Sequence, residues 1–205
     1  MRNRNLLIGF ALLVGTACSM SANSMFITGE VPFGTATPFS VTNNGITASF
    51  SSPADPGGFE TAPTSFSFGP EVVLDPGPAG ASFIALDIFF SAPISLISMD
   101  FATEGVGPLN LVALLGFGAV GAASATGTIP PGGVSPEGII SFSGATFDGV
   151  RLNSIADPNF AIGNISVTAT PEPGSWVLLA TILCAGLIVL VSRARHYART
   201  NTPIL

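Results

Sequence analysis

The chain has 205 residues, and roughly 150 remain once two apolar ends are set aside, the size of one domain that can bury a core without metal or disulfide. Charged residues make up only 9%, lysine is missing altogether, and both cysteines, Cys18 and Cys184, fall in the apolar ends. Between residues 23 and 173 the single base Arg151 faces all twelve carboxylates, a net charge of −11, which repels phosphate backbones and excludes nucleic acid as a partner.

Residues 1–22 read as a secretory signal. Arg2 and Arg4 form a positive start, Leu6 to Val14 form an apolar stretch too short to cross a bilayer, and small residues follow. Cleavage is expected after Ser19 or Ala22. The competing readings are a retained anchor, disfavoured by the short apolar stretch, and a lipoprotein acylated at Cys18, disfavoured by Gly15 three positions earlier.

From 23 to 168 the pattern is alternation broken by turns. Strands are predicted over Phe39–Val41 and Gly45–Phe50, joined at Asn43-Asn44-Gly45, where Asn-Gly favours the positive φ of a hairpin turn. Ser65–Phe68 reads as a short strand. Phe83–Phe90 places Ile84, Leu86, Ile88 and Phe90 on one face. After Ser91-Ala92-Pro93, Ile94–Phe101 places Ile97, Met99 and Phe101 on one face. Leu109–Phe117, Val120–Ile129, Ile139–Phe142, Thr146–Leu152 and Phe160–Ala169 complete the set. Turns are expected at Asp55-Pro56-Gly57-Gly58, Asp75-Pro76-Gly77-Pro78 and Pro130-Pro131-Gly132-Gly133. Eight to ten short strands in about 150 residues predict an all-β, antiparallel β-sandwich or jelly-roll-like single domain.

Residues 169–205 have three parts. Pro171-Glu172-Pro173 resists helix and sheet pairing and stays extended. Residues 175–192 form an apolar run with Trp176 at its entry; as a helix it would be about 27 Å long, just enough for a bilayer core. Arg193, Arg195, His196 and Arg199 form a basic stop that keeps this end cytoplasmic and the domain outside. An ordinary single-pass anchor would share the apolar run and the basic stop, but not the Pro-Glu-Pro-Gly-Ser-Trp in front of them.

This run, Thr170-Pro171-Glu172-Pro173-Gly174-Ser175-Trp176-Val177-Leu178-Leu179 followed by the helix and arginines, resembles the PEP-CTERM sorting signal, a tail also known as an ice-binding-protein C-terminal motif. The resemblance covers about 30 residues. It departs in the spacing of the arginines and in the further residues Thr200 to Leu205. It implies an exopolysaccharide-making bacterium in which signal peptidase and the Sec translocon handle the front end. An exosortase, a membrane-embedded cysteine transpeptidase, would cut near Pro171–Pro173. The precursor would sit transiently in the inner membrane and then reach the cell surface or extracellular matrix. The ending Phe160 to Thr168 resembles the last strand of sandwich domains found before this tail, with Gly163 where an acidic residue often stands.

Residues 23–173 contain no His, Cys, Lys or Tyr, which removes Ser-His and Cys-His catalysis and zinc sites built on His or Cys. Gly116-Phe117-Gly118-Ala119-Val120-Gly121 spells a dinucleotide fingerprint without the strand–helix context that gives it meaning. A two-carboxylate glycosidase using Asp87 and Asp100 is the one enzymatic reading left, and solvent-facing strand positions account for both more simply. No cofactor is expected. Asp55, Asp75, Glu104 and Asp157 offer oxygen ligands of the kind calcium takes, without an EF-hand pattern. Arg151 reads as half of a structural ion pair, with an anion-binding role as the competing view. Asn164-Ile165-Ser166 is a glycosylation sequon. The leading expectation is a non-catalytic surface or matrix protein. A surface carbohydrate-binding module is the alternative, although Trp and Tyr are missing from residues 23–173. The Thr residues form no regular ladder of the kind that would favour ice binding.

Overall fold

The computed structural model describes residues 23–26, 31–63, 66–69, 71–74, 85–154, 159–170, 181 and 184–188. Residues 21–170 form one compact unit, and everything below concerns it unless stated. The unit is all-β and antiparallel. Its strands are β1 (Asn23–Phe26), β2 (Phe39–Asn43), β3 (Ile46–Ser51), β4 (Glu60–Pro63) and β5 (Glu71–Leu74), then β6 (Leu86–Thr103), β7 (Pro108–Leu115), β8 (Gly118–Thr126), β9 (Glu137–Ser154) and β10 (Phe160–Ala169).

Two 18-residue strands organise the unit. β6 and β9 pair along nearly their whole length, from Leu86↔Leu152 to Ala102↔Glu137. The first half of β6 has β3 on its other side, and β2 lies beyond β3. The second half of β6 has β10 there instead. The C-terminal half of β9 continues into β7 and then β8. β10 carries β5 and then β4 near Ile162, and β1 near Ile165. The long strands therefore serve two layers, β2-β3-β6-β9-β7-β8 and β4-β5-β10-β6-β9. Leu86, Ile88, Leu111 and Val150 from the first layer share one buried cluster with Ile97, Phe101, Ile140 and Ile162 from the second.

The sequence foreshadows this turn between layers through a change of phase. Even-numbered Leu86, Ile88, Phe90 and Ile94 face the core, then odd-numbered Ile97, Met99 and Phe101 do. A one-residue slip in a regular strand would send the second block to solvent. Read along the chain, that break suggests two strands and a turn at Ser91-Ala92-Pro93. In the fold β6 runs through, and register irregularities on either side of Ile94 absorb the slip. Pro93 is tolerated at such a site, and its carbonyl accepts bonds from the Thr170 backbone N–H and hydroxyl. β9 fuses the predicted Ile139–Phe142 and Thr146–Leu152 in the same way, with Gly144 at φ 109° between them.

β10 shifts between Gly163 and Ser166, so that Phe160 and Ile162, then Ile165 and Val167, point inward. Asn164 takes φ 46° there, a left-handed conformation that Asn tolerates better than most residues. Its side-chain amide donates to Asp100 Oδ2 at 2.7 Å and to the carbonyl of Phe68. The sequon asparagine is thus a partly buried tether, next to Gly163. Asn164→Ala loses both bonds and the conformational tolerance together. It is expected to lower stability by about 2 kcal/mol, read from the urea midpoint.

Other expectations are corrected. The described part of Ser65–Phe68 is a turn rather than a strand, with Phe66 and Phe68 stacked 5.3 Å apart. Both rings pack against Val72, Ala102 and Ala161. β1, β4 and β5 were not foreseen. The Asn44-Gly45 turn has φ 48° and 79°, the doubly positive pair expected of this hairpin. The turns at Asp55–Gly58 and Pro130–Gly133 close through Gly58 N–H to Asp55 O and Gly133 N–H to Pro130 O.

Candidate functional site

Strand alternation sends one set of side chains of the first layer outward. Across five strands, register aligns Ser51 (β3), Asp87 (β6), Arg151 (β9), Val112 (β7) and Ala122 (β8) in one row. At ~4.8 Å per strand this row is about 19 Å long. Beside it run Asn153, Asn110 and Ser124, also in register. On the other side lie Ser49, Phe89 and Gly149. Gly149 is a close-approach glycine: a Cβ there would enter the Phe89 ring, which lies across it. Farther out, the Ser40 and Ser49 hydroxyls bond at 2.9 Å, and those of Thr42 and Thr47 at 2.8 Å.

The Asp87–Arg151 pair is the centre of this face. Arg151 Nε donates to Oδ1 and Nη2 to Oδ2, both at 2.7 Å, a planar fork. The Asp87 side chain is 3% exposed and that of Arg151 is 47% exposed. Bonding to Asp87, opposed by burial, raises the Arg151 pKa. Only two of its five N–H donors are committed to Asp87. The face therefore presents donors, amides and hydroxyls around a neutralised charge pair. That is chemistry for neutral hydroxyl-bearing ligands.

The sequence reading found Arg151 as half of an ion pair, and the fold gives it that partner. Asp87 is paired and buried, not a solvent-facing position. Asp87 and Asp100 are not brought together as a glycosidase pair. Thirteen residue steps along β6 at ~3.3 Å each separate them, whereas paired catalytic carboxyls stand roughly 5–9.5 Å apart. Asp100 bonds Asn164 instead. Asn110 and Asn153 were missed, although Asn110 lies between the inward Leu109 and Leu111, and alternation alone places it outward.

The remaining candidates are scattered. Glu104 accepts from Asn159 Nδ2 at 2.6 Å beside an open cleft of about 180 Å³ that also touches Phe66, Thr103 and Ser135. Glu137 accepts from the Ser67 hydroxyl and backbone N–H. Asp148 caps the Gly116 N–H. Among the described residues, no three His, Cys, Asp or Glu side chains gather where a metal could sit. The glycine-rich stretch from Gly116 is the β7–β8 hairpin, with no helix after it. Asp75, Asp157, the signal segment 1–22 and most of the sorting segment, including Pro171, Glu172, Pro173, Trp176, Arg193, Arg195 and Arg199, lie outside the described residues. Residues 181 and 184–188 are helical, and no helix among the described residues is long and apolar enough to cross a membrane.

No family model and no curated protein matches the chain. Solved structures do. The adhesin domain K1 of Lys-gingipain from Porphyromonas gingivalis W83 matches with a TM-score of 0.43 and 8% identity, over 74% of this chain and 99% of that one. A family 29 carbohydrate-binding module in complex with mannohexaose scores 0.40 at 12% identity, over 73% and 92%. The enzymatically active domain of bacteriophage CBA120 tailspike protein 4 scores 0.34 at 12% identity, over 73% of this chain and 19% of that one. With scores below 0.5, none of them assigns a family or a ligand.

Proposed function

We propose that residues 23–168 form a non-catalytic carbohydrate-binding β-sandwich that takes a neutral polysaccharide along the outer face of the β2-β3-β6-β9-β7-β8 layer. The observation that carries this reading is the Asp87–Arg151 fork, flanked by the cross-strand pair Asn110 and Asn153 on one sheet face. Planar polar side chains of this kind suit the paired hydroxyls of sugars, and hydrogen bonds replace the aromatic stacking that the missing Trp and Tyr would provide. The net charge of −11 over residues 23–173 disfavours uronate-rich or phosphorylated glycans. The secretory signal and the PEP-CTERM-like tail support delivery to the cell surface or exopolysaccharide matrix, with signal peptidase, the Sec translocon and an exosortase as processing partners.

Glycan-array screening of the full chain in mild detergent, followed by titration calorimetry, tests this. Binding to a neutral glycan is expected, weakened about tenfold or more by Asn110→Ala combined with Asn153→Ala. A chain that binds no glycan, or a double variant that binds as well as the parent, overturns the assignment.

A further inference from the structure

From Gly105 to Pro136 the chain holds no charged residue, although this unit is strongly acidic. That run includes β7 and β8, and β8 is a margin of the first layer, paired among the described residues with β7 alone. Strand margins are ordinarily blunted by charge, proline or irregularity. β8 has neither charge nor proline, and its one irregularity is an extra residue at Val120. Gly121 to Thr126 is left as a regular stretch whose second edge has free N–H and C=O groups among the described residues. At the other margin of the layer, β2 lies against β1. Beside β8, Phe117 is 99% exposed at the hairpin tip and Leu115 is 49% exposed.

We infer that β8 pairs with β8 of a second copy, antiparallel, about a two-fold axis near Ala123. Charge selects this occupant. Two copies whose residues 23–173 each carry −11 repel wherever carboxylates face one another, and the longest stretch of those residues without any is the one that holds β8. A two-fold axis through an antiparallel pair is perpendicular to the sheet, so like faces stay together. Ala122 then meets Ser124, and Gly121 meets Ala125, small neutral pairs on both faces. The outer faces of the two copies become one continuous sheet. Counting five strand intervals at ~4.8 Å, the Arg151 residues of the two copies stand about 24 Å apart. This bivalence rests on the glycan reading, whereas the dimer does not.

Sedimentation velocity on the full chain in detergent, over a range of concentrations, tests the pairing. A reversible dimer is expected. Ala122→Glu with Ser124→Glu puts carboxylates on exposed outward positions, so the fold should persist by circular dichroism while like charges meet at the axis. The dimer is expected to weaken by at least about 100-fold. Amide exchange should show Gly121–Thr126 protected in the parent and exposed in this variant. A monomer at all concentrations, or an oligomer that the paired glutamates leave intact, overturns the inference. Loss of glycan binding in Asn110→Ala/Asn153→Ala with the dimer retained would separate the two sites.

Discussion

Replacing Arg151 by methionine is expected to lower the stability of the domain by about 3 kcal/mol, far more than an exposed ion pair is worth. The Arg151 side chain is nearly half exposed, so its own Coulomb gain is screened and contributes little. The cost lies with Asp87, whose side chain is 3% exposed and would lose both charge-assisted bonds. A carboxylate left buried without partners pays its full desolvation penalty. Methionine keeps the apolar stem, so lost packing is not the cause. Changing Asp87→Leu together with Arg151→Met removes the stranded charge and should recover most of the loss, to within about 1 kcal/mol of the parent. Urea unfolding with an unchanged slope provides the measurement. A single variant less than about 0.5 kcal/mol below the parent would show that water reaches Asp87 and that the pair is decorative.

The second large effect is expected at a glycine. Gly127 follows β8 and is buried where the chain passes the start of β9. A Cβ there would stand 2.8 Å from Glu137 N, 2.8 Å from Pro136 C and 3.0 Å from Glu137 O. All three are backbone atoms, held by the Thr128–Glu137 bridge with bonds of 2.8 and 3.0 Å. No rotamer change relieves such a clash, so Gly127→Ala must part the two segments. The expected loss is about 3 kcal/mol, at the upper end for overpacking. Gly132→Ala is the control. It has φ 80° and open space around it, and should lose only about 1 kcal/mol from conformation alone. Equal midpoints for the two variants would refute the steric argument.

Alternation carried most of the fold. The strands β3, β7 and β10, and the inward faces Leu86, Ile88 and Phe90 and then Ile97, Met99 and Phe101 of β6, were legible because strand side chains repeat every two residues and one face is buried. The same rule misled only on continuity, dividing β6 and β9 into two strands each. A bulge and a turn both interrupt the period, and only the neighbouring strands show which one is present. β4 and β5 were missed because each is four residues long, too short for alternation to stand out.

The amino-acid sequence by itself determined the all-β character, the acidic and thiol-free surface and the isolation of Arg151, since these depend on composition and local period alone. Only the tertiary structure decided that Arg151 meets Asp87, that Asn110 meets Asn153, and that Asp87 and Asp100 stay apart. The first two facts depend on register between strands 40 to 65 residues apart in the chain, which is set by the packing of the shared core, and the third on β6 running through as one strand.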